Sequence, residues 1–305
     1  MTRRRLAAAT AFLAVVALAA LAPFLLGPYL VGVALDLLMW IALAESWILL
    51  SGMTGYISLG HAVFFGTGGY VMVLAWGVLP FWLVVPLGGL VAGLLALAIG
   101  YPCLRVRGPY FVILTFGVAE FAKFVVVAIE AGLGKAGRLM FGAPSLDELY
   151  FVMLALAAAA FVIADCVRRS RFGAGLRAIR EDEDAAETIG VPTTRFKILA
   201  YTLSAIIPGM VGTVMVLRST YFEPLQVFDP LISFTIVTMA IIGGSDGAPG
   251  PLMGAVFLVS LSELLWANLP EVYMILLGAL LVGFVLGAPD GIHGWIRARL
   301  ARRGA

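Results

Sequence analysis

Apolar runs of about 20 residues, long enough to cross a bilayer as one helix, recur along nearly the whole chain. They fall at 6–27, 29–50, 61–79, 81–101, 109–130, 149–167, 196–217, 229–244, 249–267 and 271–287. Turn-forming pairs separate many of them: Gly27-Pro28, Ser51-Gly52, Leu79-Pro80, Gly108-Pro109, Gly243-Gly244 and Leu269-Pro270. The pattern predicts an all-α integral membrane protein of ten transmembrane helices, organised as one domain over 1–305. The one long polar interruption is 168–197.

Composition agrees with a lipid environment. Hydrophobic residues make up 62% and charged residues 12%, with a mean hydropathy of +1.05; a soluble domain carries about 45–50% and about 25% respectively. The 35 glycines suit transmembrane helices that approach closely. Charge placement adds orientation. With Arg3, Arg4 and Arg5 in the cytoplasm, ten crossings put Arg105, Arg107, the seven basic residues of 168–197 and Arg297, Arg299, Arg302 and Arg303 on the same side. Only Lys123, Lys135, Arg138 and Arg218 remain elsewhere, as the positive-inside rule expects, so both termini are predicted cytoplasmic. The first run has a second reading as a signal peptide, with Arg3–Arg5 ahead and small residues at 19–22, although it is long for one and a retained helix is favoured. Cys103 and Cys166 imply no disulfide framework, His61 and His293 make no metal site, and nothing calls for a cofactor or a nucleic-acid partner.

The segment 168–197 holds 12 of the 38 formal charges. Leu176, Ile179, Ala186 and Ile189 share one broad helical face, while Glu181, Glu183, Asp184 and Glu187 point mostly away. The spacing predicts one short amphipathic helix over 176–189, stopped by Gly190 and Pro192. Such a helix reads as a solvated connector, as a surface-lying segment disfavoured by its run of four acids, or as a knob for a cytoplasmic partner.

The stretch resembles the coupling loop of bacterial ABC-importer permeases, in which Ala-Ala follows an acidic residue and Gly comes a few positions later, here Asp184, Ala185, Ala186 and Gly190. The whole chain resembles the branched-chain amino acid importer permeases and their LivM-like subunit. The resemblance lies in SLGHAVFFGTGGY at 58–70, RGPYFVILTFGVAE at 107–120, GLRAIREDEDAAETIGV at 175–191, KILAYTLSA at 197–205, IIGGSDGAPGPLMGA at 241–255 and GAPDGIHG at 287–294. It implies a permease subunit in the bacterial inner membrane, paired with a second related permease, two cytoplasmic ATPase subunits and a periplasmic substrate-binding protein. Arg180, Glu181, Asp184, Ala185, Ala186 and Gly190 are then the expected ATPase-coupling residues. No G-x-x-x-x-G-K-S/T phosphate loop occurs, so the chain is not expected to hydrolyse ATP itself.

A path for an aliphatic zwitterion needs apolar walls with a few hydroxyls and free backbone groups. Ser58, Thr115, Ser204 and Thr235 are candidates for those contacts, and each has the alternative of bonding to its own helix. The glycine-rich loop 51–60, which includes Gly60, reads either as a broken segment shaping the path or as an ordinary turn. The later stretch 243–257 weakly echoes the glycine spacing of 52–64, as internal repeats in transporters do. Among the intramembrane acids, Glu120 has Lys123 three residues on as a helical partner, and Asp36, Glu45 and Glu263 are further candidates. A secondary transporter or an intramembrane enzyme are the competing classes. The acidic Ala-Ala-Gly motif disfavours the first and the isolation of His61 the second. Urea, short amides, sugars and other amino acids compete as substrates.

Overall fold

The computed structural model describes residues 2–283 apart from 136, 245–248, 270, 273–274, 277 and 280–281. The terminal motif at 287–294, His293 and the last four arginines lie outside the described residues, as does part of the expected span at 271–287. The 243–257 echo includes 245–248 and is therefore only partly described.

The described chain is almost entirely helical. Helix α1 (Thr2–Ala20) and the one-turn α2 (Ala22–Leu25) precede α3 (Pro28–Trp47), which runs on into a π-helical turn at Ile48–Gly52. After an extended stretch come α4 (His61–Ala75), α5 (Phe81–Cys103) and α6 (Pro109–Gly132). A two-residue strand β1 (Arg138–Leu139) leads to α7 (Leu146–Arg169), and then to α8 (Arg171–Glu181) and α9 (Glu183–Thr188). Helix α10 (Thr193–Ser219), strand β2 (Tyr221–Phe222) and helices α11 (Pro224–Val227), α12 (Pro230–Gly243) and α13 (Pro249–Asn268) follow. The strands pair antiparallel, Arg138 opposite Phe222, a small sheet that the apolar-run reading does not foresee.

Seven described helical segments are long and apolar enough to cross a membrane, and Thr10–Leu25 and His61–Ala75 are shorter apolar helices. Helix α4 ends four residues before the expected 79 because Gly77 takes a positive φ of 79° and turns the chain. Its 15 residues span only about 22 Å at 1.5 Å each, short of a hydrocarbon core about 30 Å thick.

Helix α10 is the hub and packs most heavily on α5 and α4. Glycines make this crossing close: a Cβ on Gly68 would lie 1.8 Å from the Gly209 carbonyl oxygen, and one on Gly212 would lie 2.0 Å from that of Phe65. Without a hydrophobic force between helices in lipid, backbone approach of this kind supplies the packing. Helix α6 sits at the periphery. Phe111, Thr115 and Ala119, one turn apart, form its buried stripe, while much of the rest of its surface is open.

Candidate functional site

The polar segment folds into two helices, not one. Asp182 adopts an extended conformation, and its Oδ1 accepts from the backbone N–H groups of Asp184 (2.9 Å) and Ala185 (3.0 Å), capping α9. An aspartate competing for backbone donors breaks the predicted 176–189 helix. Helix α9 then ends with the N–H of Gly190 donating to the Glu187 carbonyl and that of Val191 to Ala186, both at 3.0 Å. With Gly190 at φ 89°, this is a complete Schellman motif, and the expected glycine cap is in place.

The break redistributes the faces. Leu176, Ile179 and Ala186 are buried as expected. Ile189 is 76% exposed, and Glu183 turns inward. Arg180, Glu181, Asp184, Ala185 and Gly190 lie on the surface of the segment, whereas Ala186 belongs to the core beneath it. The small pair therefore divides its roles, Ala185 outward and Ala186 inward.

Beneath α9, Lys197 Nζ contacts Glu183 Oε1 at 2.6 Å, with side chains only 4% and 12% exposed. The same ammonium donates to the Leu104 carbonyl and the Tyr56 hydroxyl, each at 3.2 Å, and the Tyr56 hydroxyl donates to Glu183 Oε2 at 2.5 Å. Arg107 caps the cluster from outside, 3.0 Å from Asp184 Oδ1 and 3.7 Å from Glu183 Oε1. Burial pushes the Glu183 carboxyl up, but the bonds from Lys197 and Tyr56 and the charges of Lys197 and Arg107 outweigh it and hold the group below its ordinary value. Burial and the bond to Glu183 push the Tyr56 phenol up. The sequence reading missed Tyr56, Glu183 and Lys197 as a group. Its only signal was a lysine placed at the head of an apolar run.

Loop 51–60 begins as the tail of a π-helical turn. The π-helical Ile48–Gly52 is wholly buried, and Arg180 reaches over from α8 to donate to the Gly52 carbonyl at 3.0 Å. Further along, Gly55 and Ile57 are exposed and Tyr56 is half-buried beneath α9. Trp47 Nε1 donates to the Ser58 carbonyl at 2.9 Å, and Ser58 Oγ accepts from the Gly60 N–H at 3.2 Å. Thr115 Oγ1 accepts from the Leu59 N–H at 3.1 Å and bonds its own helix at the Phe111 carbonyl. A Cβ on Gly60 would meet the Tyr201 hydroxyl at 3.3 Å and Thr115 Cβ at 3.5 Å.

The fold thus brings Ser58, Gly60 and Thr115 together around Tyr201, with Ser204 one turn further along α10. Ser58, Thr115 and Ser204 are fully buried, and Ser204 donates to the Tyr201 carbonyl at 2.8 Å. Thr235 lies apart. Ser233 on the same helix reaches the Ala62 N–H at 2.9 Å, and a residue two positions on points to the other side of the helix, where Thr235 bonds the Leu231 carbonyl. Glu120 lies off the buried stripe of α6 and pairs with Lys123 at 2.6 Å as the spacing predicts. Asp36 pairs with Arg218, Glu263 accepts from Tyr29, and Glu45 and His61 are buried with no hydrogen-bond partner among the described residues. Cys103 is buried and Cys166 is exposed. Among the described residues no group of three or more His, Cys, Asp or Glu could hold a metal ion.

Comparison with known proteins adds the family. Residues 29–285 match the family described as the branched-chain amino acid transport system/permease component. The LivM permease protein of the high-affinity branched-chain amino acid transport system of Salmonella typhimurium is 27% identical, over 91% of this chain and 73% of its own length. LivM of Escherichia coli is 26% identical, over 94% and 75%. LivH of Salmonella typhimurium is 25% identical, over 83% and 90%. No solved structure matches the chain.

Proposed function

Because this chain belongs to the branched-chain amino acid transport system permease family, we propose that it is one membrane-spanning half of an ATP-driven importer of leucine, isoleucine and valine. Similarity to both LivM and LivH relatives supports pairing with a second, related permease. Two ATPase subunits would dock on the cytoplasmic face, and a periplasmic binding protein would deliver the substrate across the inner membrane. In this reading the ten-span topology puts both termini and α8–α9 on the cytoplasmic side.

The observation that carries the reading is the exposed surface of the α8–α9 unit. It is capped at both ends, carries an acidic rim of Glu181, Asp184 and Glu187, and exposes Ile189 and Ala185 at its tip. An apolar tip within an acidic rim fits an ATPase groove with an apolar floor and basic edges. Arg180, Gly190 and Ala186 hold that surface in shape. ATP-driven closure of the ATPases moves the unit, and the bundle alternates between outward- and inward-facing states. Ser58, Gly60, Thr115 and Ser204 are sealed in the present state and come to line the path when the bundle opens. Glu120, paired with Lys123, and Thr235, bonded to its own helix, stand outside that cluster.

Uptake of labelled leucine in cells lacking the chain, with the wild type restored, tests the substrate, with valine, alanine, urea and ribose as competitors. Leucine uptake that depends on the chain and is blocked by valine is the expected result. Uptake of urea or ribose lost in place of leucine would reassign the substrate while leaving the permease reading intact.

A further inference from the structure

The helices proposed to dock the ATPases and the segment proposed to shape the path are far apart in sequence, yet one buried polar cluster joins them. Glu183 is the first residue of α9, Lys197 lies in the first turns of α10, Tyr56 belongs to the extended stretch before α4, and Leu104 closes α5. Lys197 Nζ touches the other three at 2.6, 3.2 and 3.2 Å, and Tyr56 closes the ring onto Glu183. Four residues beyond Glu183 and Lys197's partner Tyr56 along the extended stretch lies Gly60, with Ser58 between them, both beside Thr115 and Tyr201. Arg180 ties α8 to Gly52 at the other end of the same loop.

A buried ion pair is costly to separate, because each parted charge is left in a poor solvent. Elements joined through one therefore move together more readily than they part. Resting on the permease reading above, we propose that Lys197, Glu183 and Tyr56 are positioning residues that make the 55–60 segment move with the ATPase-docking helices, so that their loss separates ATP hydrolysis from transport.

The test uses the complete complex, with its paired permease and ATPases, in vesicles loaded with ATP. Lys197→Met leaves Glu183 with only the half-exposed Arg107 at 3.7 Å in place of its buried cation and is expected to lower the thermal stability of the complex. Glu183→Gln combined with Lys197→Met removes both charges and restores that stability. In both variants ATP hydrolysis continues, while leucine transported per ATP falls about tenfold, within the range of ordinary coupling between sites. A second readout follows the segment directly. In a Cys166→Ser background, Ile57→Cys, at a site 42% exposed, is labelled by a thiol reagent at a rate that ATP changes; Lys197→Met abolishes the change.

Recovery of the transport-to-hydrolysis ratio along with stability in the double variant would make the cluster a structural pair only and overturn the proposal. Loss of ATPase association in the double variant would overturn it as well, since the cluster would then serve docking and not transmission. If the wild-type complex takes up no leucine with ATP, the functional reading fails first and the proposal falls with it. That outcome is distinct from a wild type that transports and variants that remain coupled.

Discussion

Replacing Gly68 by alanine tests the close crossing of α4 and α10 at its tightest point. The added Cβ would stand 1.8 Å from the Gly209 carbonyl oxygen, where real Cβ atoms keep at least 3.0 Å. The obstructing atom belongs to the backbone of another helix, so no rotamer change relieves it and α4 and α10 must part by more than an ångström. Overpacking of this kind costs about 1–3 kcal/mol, and a gap of 0.5–1 Å forfeits about a quarter to a half of the dispersion energy along the seam. Alanine returns about 1 kcal/mol of helix propensity. Taken at the upper end of the overpacking range, the net loss is about 2 kcal/mol, equivalent to a fall in Tm of about 3 °C for a chain of this size. Gly117→Ala is the control: it is also a helical glycine, but no atom lies within 4 Å of the added methyl, so only the propensity gain remains. Thermal unfolding of the purified chain in detergent, followed by size-exclusion fluorescence, compares the two. Gly68→Ala melting with the wild type, or Gly117→Ala melting as low as Gly68→Ala, would refute the packing argument.

Other outcomes follow from the same structure. Arg138 Nη2 and Nε hold the buried Glu130 at 2.6 and 2.8 Å, so Arg138→Ala leaves that carboxylate with only the Tyr70 hydroxyl at 3.0 Å and lowers stability by about 3 kcal/mol, read from the same melting curves. Ser145 and Glu148 form a capping box at the start of α7, and Ser145→Ala is expected to cost about 1 kcal/mol. Ala185→Arg, on the exposed tip, abolishes ATPase co-purification without changing the Tm, whereas Ala186→Asp lowers both because it places a charge in the core. The lowered Glu183 value stabilises the fold fully above the unfolded carboxylate pKa of about 4.3. That contribution is lost as pH falls through the native value, so Glu183→Gln removes a step of acid destabilisation below about pH 4.

The apolar runs were legible because a membrane span needs only length and low polarity: seven described helices meet that requirement, and shorter apolar helices lie at two more of the ten expected segments. Glu120 and Lys123 were legible for a similar reason: a pair three residues apart on one helix is a local fact. The pairing of Asp36 with Arg218 and of Glu183 with Lys197 and Tyr56 was not, because one sequence carries no record of which distant helices meet. The break at Asp182 hid among four consecutive acids, where any of them could have continued the helix. Once it occurs, the helical wheel drawn through 176–189 fails, which is why Ile189 turned outward and Glu183 inward. The shortness of α4 lay in Gly77, whose positive φ ends the helix before the apolar run ends.

The central claim is that ATP moves branched-chain amino acids through a bundle built in part from this chain. Uptake of labelled leucine into vesicles holding the complex and its binding protein, with ATP or a non-hydrolysable analogue at the ATPase side, tests it most directly. Accumulation with ATP, none with the analogue, and none when this chain carries Ala185→Arg is the predicted result. Leucine entry that ignores ATP and follows an imposed ion gradient would contradict the account and make the chain a secondary transporter.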